Sequence, residues 1–162
     1  MSVERYDNLV LASLAGAVLL AMERYSVTSH GPNPWTAKAL LNTLSRAPHM
    51  ETARRAVNGR FNSVYRSPQI NQAVGGVPTS RHQAGLATDI HPRDPFDAES
   101  AARKLWDMAE RGELGRVHKV IWEPTWVHVS WRAVYEQPYR REFGRIPRGG
   151  KYQRLAKAEV AT

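Results

Sequence analysis

The sequence contains no cysteine. That excludes a disulfide framework and any zinc site built on thiolates, so a metal here has to be held by histidine and carboxylate. It leaves the redox compartment open, because a chain without cysteine tolerates either. Long hydrophobic runs are also missing. The longest, Leu9 to Met22, spans 14 residues, whereas a membrane helix needs about 17–25. Its flank does not suit a secretory leader, because Glu4, Arg5 and Asp7 sum to −1. Ala, Leu and Met are strong helix formers, so the run reads as a buried helix over about 7–25. Membrane anchoring by residues 9–22 is the less favoured reading. No internal repeat and no low-complexity segment occurs.

What is present describes one folded domain. The length of 162 residues suits a single core without staples. Five Trp, six Tyr and three Phe supply apolar surface that a disordered chain would lack. Basic residues outnumber acidic ones, 23 to 15, for a net charge of +8. Such a charge favours anionic polymers: nucleic acid, an acidic cell-wall polymer or an anionic membrane. The excess is concentrated at the end, with +5 in the last 31 residues and +3 in the rest. Residues 136–162 therefore read as a basic C-terminal tail. A nucleic-acid binder is the weakest reading, since no nucleic-acid motif accompanies the charge.

The order of elements argues for an α+β fold. Thr36 caps a helix through about Arg46, with Ala37, Leu40, Leu41 and Leu44 on one side. Met50 to Val57 reads as a separate short helix ended by Asn58-Gly59. Arg60 to Arg66 reads as a strand stopped by Ser67-Pro68, with a helical turn over Gln69 to Val74. Leu86 to His91 is a second strand. Ala98 to Arg111 is a helix with Ala102, Leu105, Trp106 and Ala109 inward. Val117 to Trp122 and Thr125 to Trp131 form a hairpin bent at Glu123-Pro124.

The densest polar cluster is Ser80-Arg81-His82-Gln83-Ala84-Gly85-Leu86-Ala87-Thr88-Asp89. If His82 lies in the loop and Asp89 on the following strand, their side chains converge, and Gly85 lets the backbone turn tightly between them. His128 lies in the strand Thr125 to Trp131. Alternation puts Trp126, His128 and Ser130 on one face and Val127, Val129 and Trp131 on the other. Two histidines and one aspartate match a catalytic zinc site, in which three protein ligands leave a fourth position for water. A single strand histidine is more often a packing residue, so the surrounding motif has to carry the argument. His91 could share the face of Asp89 and stand behind it, although a histidine placed by the loop before Pro92 is the favoured account. His118 reads as exposed, and His30 and His49 have no evident role.

The motif does carry it. Tyr65-Arg66-Ser67-Pro68, Asn71, Gly75-Gly76, Ser80-x-His82, Gly85-x-Ala87-x-Asp89 and Trp126-Val127-His128 together resemble the M15 family of zinc peptidases, over about Phe61 to Trp131. The GGVPTSRH and WVHVS strings are most similar to the small versions carried by bacteriophages. The resemblance implies a small antiparallel sheet with helices packed on one side, the D-Ala-D-Ala peptidase or Hedgehog-like fold. It implies that His82, Asp89 and His128 hold Zn2+, that Arg66 binds substrate or steadies an oxyanion, and that Ser80 hydrogen-bonds the substrate backbone. The other readings are a surface salt bridge for Arg66 and a loop-forming hydroxyl for Ser80. Trp126 would line the cleft and pack on the substrate, although a hairpin aromatic also suits a core.

One position departs from the family pattern. Many members carry a general-base Glu or Asp three residues before the last histidine ligand, where this sequence has Thr125. Glu123 is the substitute base, brought over the metal by the bend at Pro124; the other reading is an exposed turn residue. The expected organisation is a helical N-terminal segment (1–58) packed on a peptidase core (59–135), followed by the basic tail (136–162). The expected function is hydrolysis of an amide in the peptide stem of peptidoglycan, by a phage enzyme of the virion or of the host cytoplasm acting on the periplasmic wall. The second reading is a weakly active or inactive virion structural protein of the same fold, contacting the wall or other virion proteins.

Overall fold

The computed structural model describes residues 16–26, 33–133, 136 and 140–155. A first helix, α1, covers the described residues 16–25; the rest of the expected helix, and His30, lie outside the described residues. Ala21 and Tyr25 are buried, but Leu19 and Leu20 are 65% and 67% exposed, so α1 is not buried all round. No helix among the described residues is long and apolar enough to cross a membrane.

Helix α2 (Ala37–Ala56) is one element where two were expected. Thr36 caps it by accepting the Ala39 N–H, as its position predicts. Pro48 sits inside the helix, where it removes one intrahelical bond. Met50 and Ala53 beyond it are fully buried, and that packing carries the helix through. The buried face is Ala39, Thr43, Arg46, Met50 and Ala53 rather than the expected leucine stripe; Leu41 is 67% exposed. What turns the helix is a polar contact. Thr43 donates to the Gly85 carbonyl at 3.2 Å and Asn42 to the Ala84 carbonyl at 2.8 Å.

Strand β1 (Arg60–Ser63) is followed by the short helix α3 (Pro68–Ala73), with Ser67 as its cap and Pro68 in its first turn. A 3-10 turn (Arg81–Ala84) leads into β2 (Ala87–His91). Helix α4 (Ala98–Glu110) starts at a capping box of Asp97 and Ser100. It buries Ala102, Leu105, Trp106 and Ala109, as its periodicity predicts. Then come β3 (Val117–Trp122), β4 (Val127–Trp131), β5 (Glu142–Arg145) and β6 (Gln153–Arg154).

The six strands form one sheet in the order β1-β2-β4-β3-β5-β6, an α+β fold. The sheet is mixed and not purely antiparallel, because β5 runs parallel to β3. The chain leaves β4, passes β3 and returns on its far side. One face of the sheet, carrying Ile90, Val120, Val127, Val129 and Phe143, packs with α4 and the buried end of α2. The other face carries Asp89 and His128, placed opposite each other by the β2–β4 register.

The expected tail is corrected by β5 and β6. Residues 142–145 and 153–154 belong to the sheet, and Phe143 is 3% exposed against Trp106, with ring centroids 5.5 Å apart. A basic segment can be part of a core when one apolar residue in it points inward. Replacing Phe143 with Ala should therefore lower stability by about 3–5 kcal/mol in urea unfolding. Unchanged stability would make the segment an appendage.

Candidate metal centre

The site is built where the 3-10 turn meets the sheet. Ser80 caps the turn by accepting the His82 N–H at 3.4 Å. Gly85 ends it in the left-handed region, φ 67°, and a Cβ there would collide with the Ala39 carbonyl and the Thr43 hydroxyl. The turn thus holds His82 over the sheet, where it is 1% exposed. Segment 64–67 holds it from the other side. Arg66 N–H donates to the His82 carbonyl at 3.3 Å, and His82 Nδ1 lies 2.5 Å from the Val64 carbonyl. Tyr65 between them is fully buried, stacks on Trp35 at 4.2 Å and donates to the Pro34 carbonyl. Asn33 brackets the segment, donating to the Tyr65 carbonyl and accepting from the Ser67 N–H.

A carbonyl can only accept, so His82 Nδ1 carries a proton and its Nε2 presents a lone pair to the cleft. That lone pair lies 3.2 Å from Asp89 Oδ1 and 3.2 Å from His128 Nδ1, and the latter two are 2.8 Å apart. Burial pushes the His82 imidazole below its usual range and outweighs the pull of Asp89. Burial works to raise the Asp89 carboxyl, but the two histidines beside it hold it well below its usual range. A neutral imidazole and an ionised carboxylate are the forms that bind metals.

The donor set fits a divalent ion. Three electron-pair donors converge, and protons alone do not satisfy them. His128 can supply one proton to Asp89; His82 Nε2 can supply none. The three ligand atoms lie within 4.8 Å of one another. Ligands about 2.0–2.2 Å from a tetrahedral zinc lie about 3.3–3.6 Å apart, close to the observed triangle. Arg66 Nη2 donates to Asp89 Oδ2 at 2.8 Å, leaving Oδ1 to face the two histidines.

These groups open onto a cleft of about 820 Å3. Arg66, Ser80, His82, Asp89, Glu123, Trp126 and His128 all line it, so every site residue expected from the sequence reaches one cavity. Glu123 and Trp126 form the last pair of the β3–β4 hairpin, with Glu123 N–H donating to the Trp126 carbonyl at 3.0 Å. The preceding pair, Trp122 and Val127, packs toward the core, so alternation turns Glu123 and Trp126 into the cleft. Burial and the negative charge of Asp89 push the Glu123 carboxyl up, against the Trp126 indole that donates to it. Thr125, at the usual base position, is exposed and outside the lining.

Two further histidines remain, and one of them differs from expectation. His91 is not among the groups that approach the Asp89 carboxylate within 3.2 Å, which are His82, His128 and Arg66. His118, expected at the surface, lines the cleft together with Lys119. The cause is a β-bulge between Val117 and Lys119. Val117 and Val120 are both fully buried, three residues apart, where simple alternation allows only even spacings. That spacing was the available signal in the sequence.

The family model for peptidase M15 matches residues 43–130, just over half of the chain. A search of curated proteins finds no match. His128→Ala should abolish stoichiometric metal binding, read as zinc per chain after dialysis. Retention of a full equivalent would overturn the ligand assignment.

Proposed function

We propose that this chain, which belongs to the peptidase M15 family, is a zinc-dependent hydrolase of an amide bond in the peptide stem of bacterial peptidoglycan. Its setting would be a phage, in lysis or on the virion. The observation that carries the metal chemistry is the single lone pair of His82, fixed by the Val64 carbonyl and aimed at Asp89 and His128. The wall substrate is supported by the resemblance of the stretch SVYRSPQINQAVGGVPTSRHQAGLATDIHP to M15 peptidases, and the phage setting by the similarity of GGVPTSRH and WVHVS to the versions carried by bacteriophages. A cationic surface beside the cleft adds support, with Arg145, Arg148, Lys151 and Arg154 all exposed.

His82, Asp89 and His128 would hold the ion. Bound there, zinc supplies Lewis acidity to the scissile carbonyl and lowers the pKa of a water from 15.7 to about 7. Glu123 takes the proton of the attacking water on its carboxylate and returns it to the leaving amine. Its raised proton affinity suits a group that must accept and then donate. Arg66 holds Asp89 in register and brings a permanent positive charge to the cleft wall, where it can steady a developing oxyanion. Trp126 offers an apolar wall to the substrate peptide. Ser80 has already spent one acceptor position on the turn and keeps its O–H for a substrate carbonyl.

The inactive structural reading rests on Thr125. It is not favoured, because a carboxylate from two residues earlier occupies the cleft.

Glu123→Gln should keep zinc and reduce release of peptides from purified murein at least about 100-fold. Mass spectrometry of the fragments identifies the bond cut. Normal turnover in this variant would place the base elsewhere, and an intact murein with wild-type protein would defeat the substrate assignment.

A further inference from the structure

The cleft extends along β3 beyond the metal triad, and its far end is cationic. In the sheet, Asp89, His128 and Ile121 form one row, and Ala87, Ser130 and Lys119 form the next. Two residues of strand separate the rows, roughly 7 Å at 3.3–3.4 Å per residue. The bulge adds His118 beside Lys119 on the cleft side. Arg81 lines the same end from the 3-10 turn.

Three cations, Arg81, Lys119 and Arg132, meet two carboxylates there, Glu136 and Glu142, which leaves one positive charge in excess. Arg132, Arg81 and Lys119 act on His118 as cations, and Glu142 as the opposing carboxylate. Burial first, and the three cations after it, hold the His118 imidazole down at about 4, against the pull of Glu142. At neutral pH it is therefore an uncharged N–H donor in a positive field. Lys119 uses Nζ on Glu142 at 3.0 Å, and an ammonium has three N–H groups. Arg81 is anchored through Nη1 on Glu136 and the Trp131 carbonyl, which fixes the guanidinium in place. A preorganised cationic wall with a neutral donor suits a carboxylate better than a phosphate, which would call for more charge at short range.

We propose that His118 and Lys119, presented by the β3 bulge and faced by Arg81, form a subsite for a free carboxylate of the substrate one to two residues from the attacked amide. The proposal deepens the peptidase reading and rests on it for the identity of the ligand. Two carboxylates of a wall peptide meet the description: the C-terminal one, and the α-carboxylate left free where D-glutamate is linked through its side chain.

Synthetic stem pentapeptides distinguish them. One pair differs by a C-terminal carboxamide, a second by D-isoglutamine in place of D-glutamate. Zinc-loaded wild-type protein should lose at least about 10-fold in kcat/KM on one of these amidations, the usual scale for a hydrogen-bonded charge. His118→Gln and Lys119→Met should bring that pair within about twofold. Independently of turnover, N-acetyl-D-alanine should shift the His118 ring resonances of the metal-free wild-type protein, and N-acetyl-D-alaninamide should not. Cleavage of all peptides at equal rates overturns the subsite, as does a preference that survives in both variants. Failure to cleave any peptide, with the carboxylate-specific shift intact, defeats the peptidase reading and leaves the subsite standing.

Discussion

The hydrogen bond from His82 Nδ1 to the Val64 carbonyl sets the character of the whole site. It fixes the tautomer, and the tautomer decides what the cleft can hold. With the proton on Nδ1, three electron pairs meet at one point in a buried environment. That arrangement is costly without a cation and favourable with one. The bond in turn depends on the path of residues 64–67, which Asn33 and the Trp35–Tyr65 stack keep in place. The second turn of α2 does the same for the other partner, through Asn42 and Thr43 on the Ala84 and Gly85 carbonyls. Much of the polar hydrogen bonding around the turn thus serves to bring one imidazole to one backbone carbonyl.

The sheet divides the remaining work between its faces. Period-two alternation sends Val127, Val129 and Trp131 into the core and His128 and Ser130 into the cleft. The same rule, continued around a tight hairpin, places Glu123 and Trp126 on the reactive side. A base attached to the closing pair of a hairpin is held by the backbone bond between Glu123 and Trp126. This placement needs no carboxylate at position 125, where the bend exposes the side chain. Under the proposed mechanism the base would sit at position 123 where many family members have it at 125, with the geometry supplied by the hairpin.

The legible parts of the sequence were those that local rules govern. Periodicity located α4 and its inward residues, and alternation located the cleft face of β4. The motif around His82 and Asp89 brought both to one cavity with His128. What was missed depends on contacts between distant segments. The buried face of α2 follows the turn it bonds to, and its run through Pro48 follows the packing of Met50 and Ala53 beyond. The parallel strand β5 was masked by its charge, because Arg140, Arg141, Arg145 and Arg148 surround a single inward Phe143. His118 was read as exposed at the start of its strand, and the bulge between Val117 and Lys119 turns it into the cleft.

Including β5 in the sheet changes the meaning of the basic C-terminal region. Glu142 pairs with Lys119, so the strand that carries the surface cations also tempers the cleft. The two ends of the cleft then differ in their charge. At the metal end the carboxyl groups of Asp89 and Glu123 face the cleft, and Arg66 with a divalent ion would more than offset their charge. At the bulge end the cations already exceed the carboxylates. An anionic peptide would therefore meet a field that is positive along its length only when the ion is present, and positive at the bulge end alone when it is not. Under the proposed function, metal loading and the orientation of a bound peptide would in this way be linked through the sheet, by two rows of residues roughly 7 Å apart.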